Sequence, residues 1–311
     1  LTTLPAYGFY WFVLTEEHDA PTWHTPYAQM LPDFLTLTTR DGRLSTALAD
    51  RSARLFRSDT LSEWLPLQRW FAAKASELDD VKLHQLAEMN DGRHLLAIAE
   101  VEADGEAQRY FLPLSASWGE DALTMSPRLP ATLAKLRRVN RVGAMLDSGS
   151  DESFAQDIIA ALRAGRSLET EVGRITFTPL KGLEDITADS EPRQIAAEQS
   201  NTSIAFGDTL ILKLYRRLFE GIQPDIEIGR FLTEQTNFAA APALLGTIEL
   251  EGADGVRTTL AAAFEFVRNQ GDAWTYVTEM LLRDLERADL ADSQPGEPAE
   301  GMLGEPLDLG A

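Results

Sequence analysis

Apolar residues recur along this chain with two periods, and each period predicts an element. Alternation by two marks strands over residues 34–38, 81–89, 94–101, 109–115, 174–179, 244–250 and 258–267. The turn at 103–106 joins two of these as a hairpin. The densest case is QSNTSIAFGDTLILKLYRR, residues 199–217, where apolar runs at 203–206 and 209–215 flank Gly207-Asp208. Such a pair around a Gly-Asp turn predicts a β-hairpin. Spacing by three to four predicts helices over 53–64, with Leu55, Phe56, Leu61 and Trp64 inward, and over 151–164, with Asp151 as cap and Gly165 just past its end. Two more helices are predicted over 224–236, opened by Pro224, and over 273–290, capped by Asp272.

Stretches without a period divide these elements into blocks. Residues 15–32 carry three prolines and mixed polarity, the composition of a linker, and 291–311 is rich in Pro, Gly and acid and expected to be disordered. The run 7–14, YGFYWFVL, is of strand type. Between them lie a block over 33–125, a second over 126–271 and the helix 272–290. Antiparallel strands with one helix in each block predict an α+β fold.

Composition narrows the function classes. The 311 residues hold 44% hydrophobic positions, enough for a sizeable core, and 49 acidic against 28 basic residues give a net charge of −21. That charge repels nucleic acid and anionic membranes, so neither is an expected partner. Basic residues cluster only at 135–141, read as a solvated helix face, and at 213–217. Cysteine is absent, which removes disulfides, thiol nucleophiles and cysteine-ligated zinc. The cytoplasm is the expected location, since no apolar run nears ~18 residues and the first residues lack a charged leader. With no initiator methionine, the chain is expected to be a piece of something longer.

The candidate chemistry centres on Lys213, which alternates with Ile211 and Tyr215 on one strand face beside a loop of small polar residues that includes Asn201, Thr202 and Ser203. A cation in such a setting predicts an anion site. Glu227, inside the helix from Pro224, is the expected partner of Lys213. Strand lysine followed by helix glutamate is the layout of the nucleotide lobe in kinase-like enzymes. Glu265, Phe266 and Val267 then stand where a hinge would offer backbone groups to adenine. A surface ion pair worth about 0.2–1 kcal/mol explains any one of these elements. Their order favours the nucleotide lobe, although no GxGxxG or Walker sequence is present. His18 and His24 are read as incidental, His84 and His94 as half-buried structural residues, and Trp70 with Phe71 as a core plug.

The run SNTSIAFGDTLILKLYRRLFEGIQPDIEIGRFLTE, followed by FEFVRNQGDAW, resembles the nucleotide lobe of bacterial maltokinases, and LPLQRWFAAK (65–74) is similar to the signature of their N-terminal cap. The resemblance implies a cystatin-like cap over 33–125 and a kinase-like upper lobe over 126–271. It further implies ATP and Mg²⁺ as cofactors and phosphorylation of maltose to maltose 1-phosphate. Ser203 and its neighbours would border the phosphates, with Lys213 holding them. LPAYGFYWFVL (4–14) resembles the last strand of the C-terminal β-sandwich of trehalose synthases, which makes that enzyme an expected partner in cis or trans. The family's helical lower lobe, with its catalytic aspartate and metal ligands, has no counterpart after the hinge, so the chain is expected to hold no catalytic or metal residues and to be inactive alone. A module that docks on the synthase without catalysis is the alternative.

Overall fold

The computed structural model describes residues 34–290 apart from 75–77, 79–80, 104, 120–121, 123–125, 187–189, 196–199, 237 and 269–272. The expected strand over 7–14, the linker with His18 and His24, and the tail 291–311 lie outside the described residues. So does Asp272. Two compact units divide at residue 265, the second opening at Phe266.

The first unit contains two sheets. The eight-stranded sheet comprises β1 (Thr36–Thr38), β2 (Val81–Met89), β3 (His94–Ala103), β4 (Glu106–Phe111), β5 (Leu114–Trp118), β6 (Thr132–Arg138), β7 (Arg141–Asp147) and β13 (Arg217–Leu218). β1 lies parallel to β6, so this sheet is not wholly antiparallel as expected. The seven-stranded sheet comprises β8 (Ser167–Thr170), β9 (Gly173–Pro179), β10 (Pro192–Ile195), β11 (Asn201–Phe206), β12 (Leu210–Tyr215), β14 (Leu244–Gly252) and β15 (Arg257–Glu265). Its order is β10-β11-β12-β15-β14-β9-β8, antiparallel at every step.

The pattern along β3 explains how the sheets share a core. Leu95, Ala97, Ala99 and Val101 face a cluster with Phe56, Leu61, Trp64, Phe71 and Tyr110, whereas Leu96 and Ile98 face a second cluster with Phe154, Phe177, Phe206 and Leu212. A strand covered on both faces reads as a nearly continuous apolar run. Helix Glu152–Arg163 fills the second cluster with Phe154, Ile158, Ile159 and Leu162, and Asp151 caps it by accepting from the Ser153 backbone N–H. That helix thus joins the two sheets through apolar packing.

Several expectations change in the folded chain. The predicted strand 109–115 divides at Leu112 and Pro113, because proline has no N–H to give the ladder. The helix expected over 53–64 starts at Asp50 and contains a π turn, Phe56–Leu61, which brings the buried Phe56 and Leu61 to one side while Leu55 stays 36% exposed. The basic run 135–141 is a β-hairpin, not a helix face. Leu136 on β6 packs into the core, and β7 pairs with it residue for residue at Leu136↔Gly143 and Arg138↔Arg141. These two strands belong to the first sheet, which therefore continues past residue 125. Trp70 and Phe71 are buried as expected.

Candidate functional site

The site is built on the face of the seven-stranded sheet that looks away from the shared core. Antiparallel pairing sets Ser203 opposite Lys213 and Asn201 opposite Tyr215, so these four side chains share a face. Thr202 has the other parity. Its hydroxyl turns inward and accepts from Arg216 Nε at 2.8 Å, which separates it from the expected phosphate-bordering group. Ser203 Oγ is buried and has no hydrogen-bond partner.

Helix Pro224–Gln235 crosses this face, anchored by Ile226 against Tyr215, Leu244 and Ala262. Pro224 occupies its first turn and fixes its phase. Asp225 consequently reaches the sheet, and its Oδ2 lies 2.9 Å from Lys213 Nζ and 3.4 Å from Tyr215 Oη. The expected Lys213–Glu227 pair does not form. Two residues advance a helix by about 200°, so Glu227 turns from Lys213 and lines a shallow groove with Ile222, Ile226, Arg230 and Phe231. Lys213 is 18% exposed at its side chain and Asp225 46%, a lysine half-sheltered between a carboxylate and the Tyr215 ring, 5.6 Å from its centroid.

The expected hinge is divided between units. Glu265 ends β15, opposite Leu210, with its backbone N–H donated to Ala243 O at 2.9 Å. Phe266 and Val267 open the second unit, in which helix Ala273–Leu290 follows.

Sequence reasoning missed Arg216, which it noted only as part of the basic cluster 213–217 around Lys213. Strand parity carried the signal: with Lys213 and Tyr215 outward, Leu214 and Arg216 point to the core. Arg216 is 1% exposed. Its Nη2 lies 2.9 and 2.7 Å from the two Asp147 oxygens, Nη1 donates to Phe111 O at 3.3 Å, and the guanidinium stacks 4.8 Å from the Trp70 ring centre. One side chain thereby ties the start of β11 to the first sheet. A Cβ at Gly149 would stand 2.6 Å from Nη2, so any larger residue there would displace the guanidinium.

In the second sheet β10, β11 and β12 are followed by a helix, then β14 and β15, with β15 inserted beside β12. That is the strand order of a kinase-like upper lobe. A family model, the maltokinase N-terminal cap domain, matches residues 64–147, the interval from the end of the helix that starts at Asp50 to the last residue of β7. Over that interval the chain is similar to the cap of maltokinases. Its fold is α+β, with the stretch that matches the cap model in the first sheet and the helix before it. Solved structures similar to it include a glucosamine kinase in complex with glucosamine, ADP and inorganic phosphate, at 17% identity and a TM-score of 0.41, covering 75% of this chain and 47% of that one. A second glucosamine kinase crystal form gives 18% identity, a TM-score of 0.42, and coverage of 78% and 46%. The chain thus spans about half the length of these solved kinases.

Among the described residues no group of three or more His, Cys, Asp or Glu stands where it would hold a metal ion. No helix among them is long and apolar enough to cross a membrane.

Proposed function

We infer that this chain supplies the cap and the nucleotide-holding half of an ATP-dependent sugar kinase, whose reaction converts maltose to maltose 1-phosphate. The observation that carries this reading is the sheltered ammonium of Lys213, 2.9 Å from Asp225, on the same face as the unpartnered hydroxyl of Ser203. A buried hydroxyl without a partner is costly, and a phosphate oxygen would satisfy it. Lys213 would neutralise phosphate charge while Asp225 holds the ammonium in place, the part a helix carboxylate plays in kinase-like lobes. Asn201 would offer its amide at the same edge, with adenine towards Glu265 at the end of β15. Magnesium at such a site is held by one or two carboxylates together with the nucleotide's own phosphates. A trehalose synthase domain in cis or trans would supply maltose in the cytoplasm.

The test is hydrogen exchange with and without ATP. Amides of 201–206 and 210–215 are expected to gain protection with ATP, and Lys213→Ala to remove it. Exchange unmoved by ATP in the unaltered chain would overturn the nucleotide reading and leave a non-catalytic docking module. Asp225→Asn is expected to weaken the protection and Glu227→Gln to leave it unchanged, which distinguishes the two carboxylates.

A further inference from the structure

The hairpin of β6 and β7 carries a cluster of cations that the proposed kinase chemistry does not use. Arg137, Arg138 and Arg141 surround its tip, Lys135 lies one step along β6, and Arg40 follows β1, which runs parallel beside β6. None of the five has a carboxylate within 4.0 Å among the described residues. Asp41 lies next to Arg40 in sequence but is otherwise engaged, accepting from Thr39, Thr46 and the Arg43 backbone. In a chain of net charge −21, five unpaired cations at one sheet end form a local field opposite to that of the rest.

The tip holds a second oddity. Val139 is 76% exposed and adopts φ +52°. A β-branched residue in the left-handed region is strained, and a hairpin tip ordinarily takes Gly or Asn there. The fold therefore keeps an aliphatic knob in solvent at a conformational cost, flanked along the hairpin by Arg138 and Arg141 on one face and Arg137 on the other, with the Arg141 guanidinium 5.8 Å from the Trp118 ring centre. Arginine and aromatic groups around a small apolar centre are the anatomy of a protein-binding hot spot.

We propose that the β6–β7 hairpin tip docks an acidic segment of a protein partner, its carboxylates meeting Arg137, Arg138 and Arg141 and an apolar side chain packing on Val139. The convex tip enters the partner, and the surrounding negative charge of this chain excludes partners that are acidic over a wide area. That distinguishes a short acidic segment from nucleic acid or an anionic membrane. This surface is independent of the nucleotide site.

The probe is a peptide of glutamates around a central leucine, with a serine-centred peptide as its control. Titration into the full chain, followed by amide NMR, is expected to shift residues 137–142 selectively, with affinity falling about tenfold between about 0.05 and 0.5 M salt. Arg138→Glu combined with Arg141→Glu should abolish the shifts. Val139→Asn relieves the strained backbone, so it should leave the melting temperature equal or higher while reducing affinity for the leucine peptide to that of the serine control. Shifts spread elsewhere, binding that survives charge reversal, or an unchanged preference for leucine in Val139→Asn would overturn the proposal. Tighter binding of single-stranded DNA or phosphatidylserine vesicles than of the peptide would overturn it in favour of a general polyanion site.

Discussion

Arg216→Met removes the charge that joins the two sheets while keeping most of the side-chain volume. Asp147 is 7% exposed at its side chain and would lose its ion-pair partner, keeping only the Gly149 backbone N–H. Breaking a buried pair from one side costs about 3–5 kcal/mol. Phe111 O and Thr202 Oγ1 lose their donors as well. With roughly 2–4 °C per kcal/mol for a chain of this order of size, the melting temperature should fall by about 6–20 °C. The assay is urea and thermal unfolding of the single variant, of Asp147→Leu, and of the double variant. Removing both charges leaves no orphan ion, so the double variant should cost no more than either single one, a coupling of at least about 2 kcal/mol in the cycle. A cost under about 1 kcal/mol for Arg216→Met, or strictly additive costs in the cycle, would refute the argument that this pair is dry and joins the sheets.

Other consequences are open to direct measurement. His94 is fully buried, with Nδ1 2.8 Å from Ser115 Oγ and Nε2 3.0 Å from Asp157 Oδ2. Burial, opposed by Asp151 and Asp157 and aided by Arg93, holds its pKa below the usual 6.5. The unfolded chain then binds the proton first, so stability is full above about pH 6.5 and declines as pH falls below it; His94→Gln should flatten that slope in urea titrations. Glu88 titrates in a separate window: burial pushes its carboxyl up, but hydrogen bonds from Arg43 and Ser45 overcome this and hold it below 4.5. Its stabilisation is present above about pH 4.5 and lost as pH falls through the depressed value, so Glu88→Gln should change the profile only at the acid end. Asp151→Ala removes a helix cap and should cost about 0.5–2 kcal/mol in unfolding experiments, with Asp151→Ser recovering most of it. Gly173→Ala places a Cβ 2.0 Å from Glu251 O at φ +151°, and a loss of about 1–3 kcal/mol with weakened β9–β14 amide protection is expected.

Alternation and turn chemistry were enough to locate the hairpin β11–β12, the helix from Pro224 and the capped helix from Glu152, because each is specified by neighbours in the chain. The same parity placed Lys213 on its face. Which carboxylate meets that lysine was not legible, since 225 and 227 are both acidic and only the helix phase against the sheet chooses between them. Arg216 and Asp147 are 69 positions apart, and no local pattern marks them as a pair. Nor does composition distinguish the exposed Arg137 and Arg141 from the buried arginine at 216. Local sequence determined the elements and the facing of their residues, because backbone geometry has a short period. The tertiary structure decided which charges meet and which remain in water, since burial depends on what packs from distant parts of the chain.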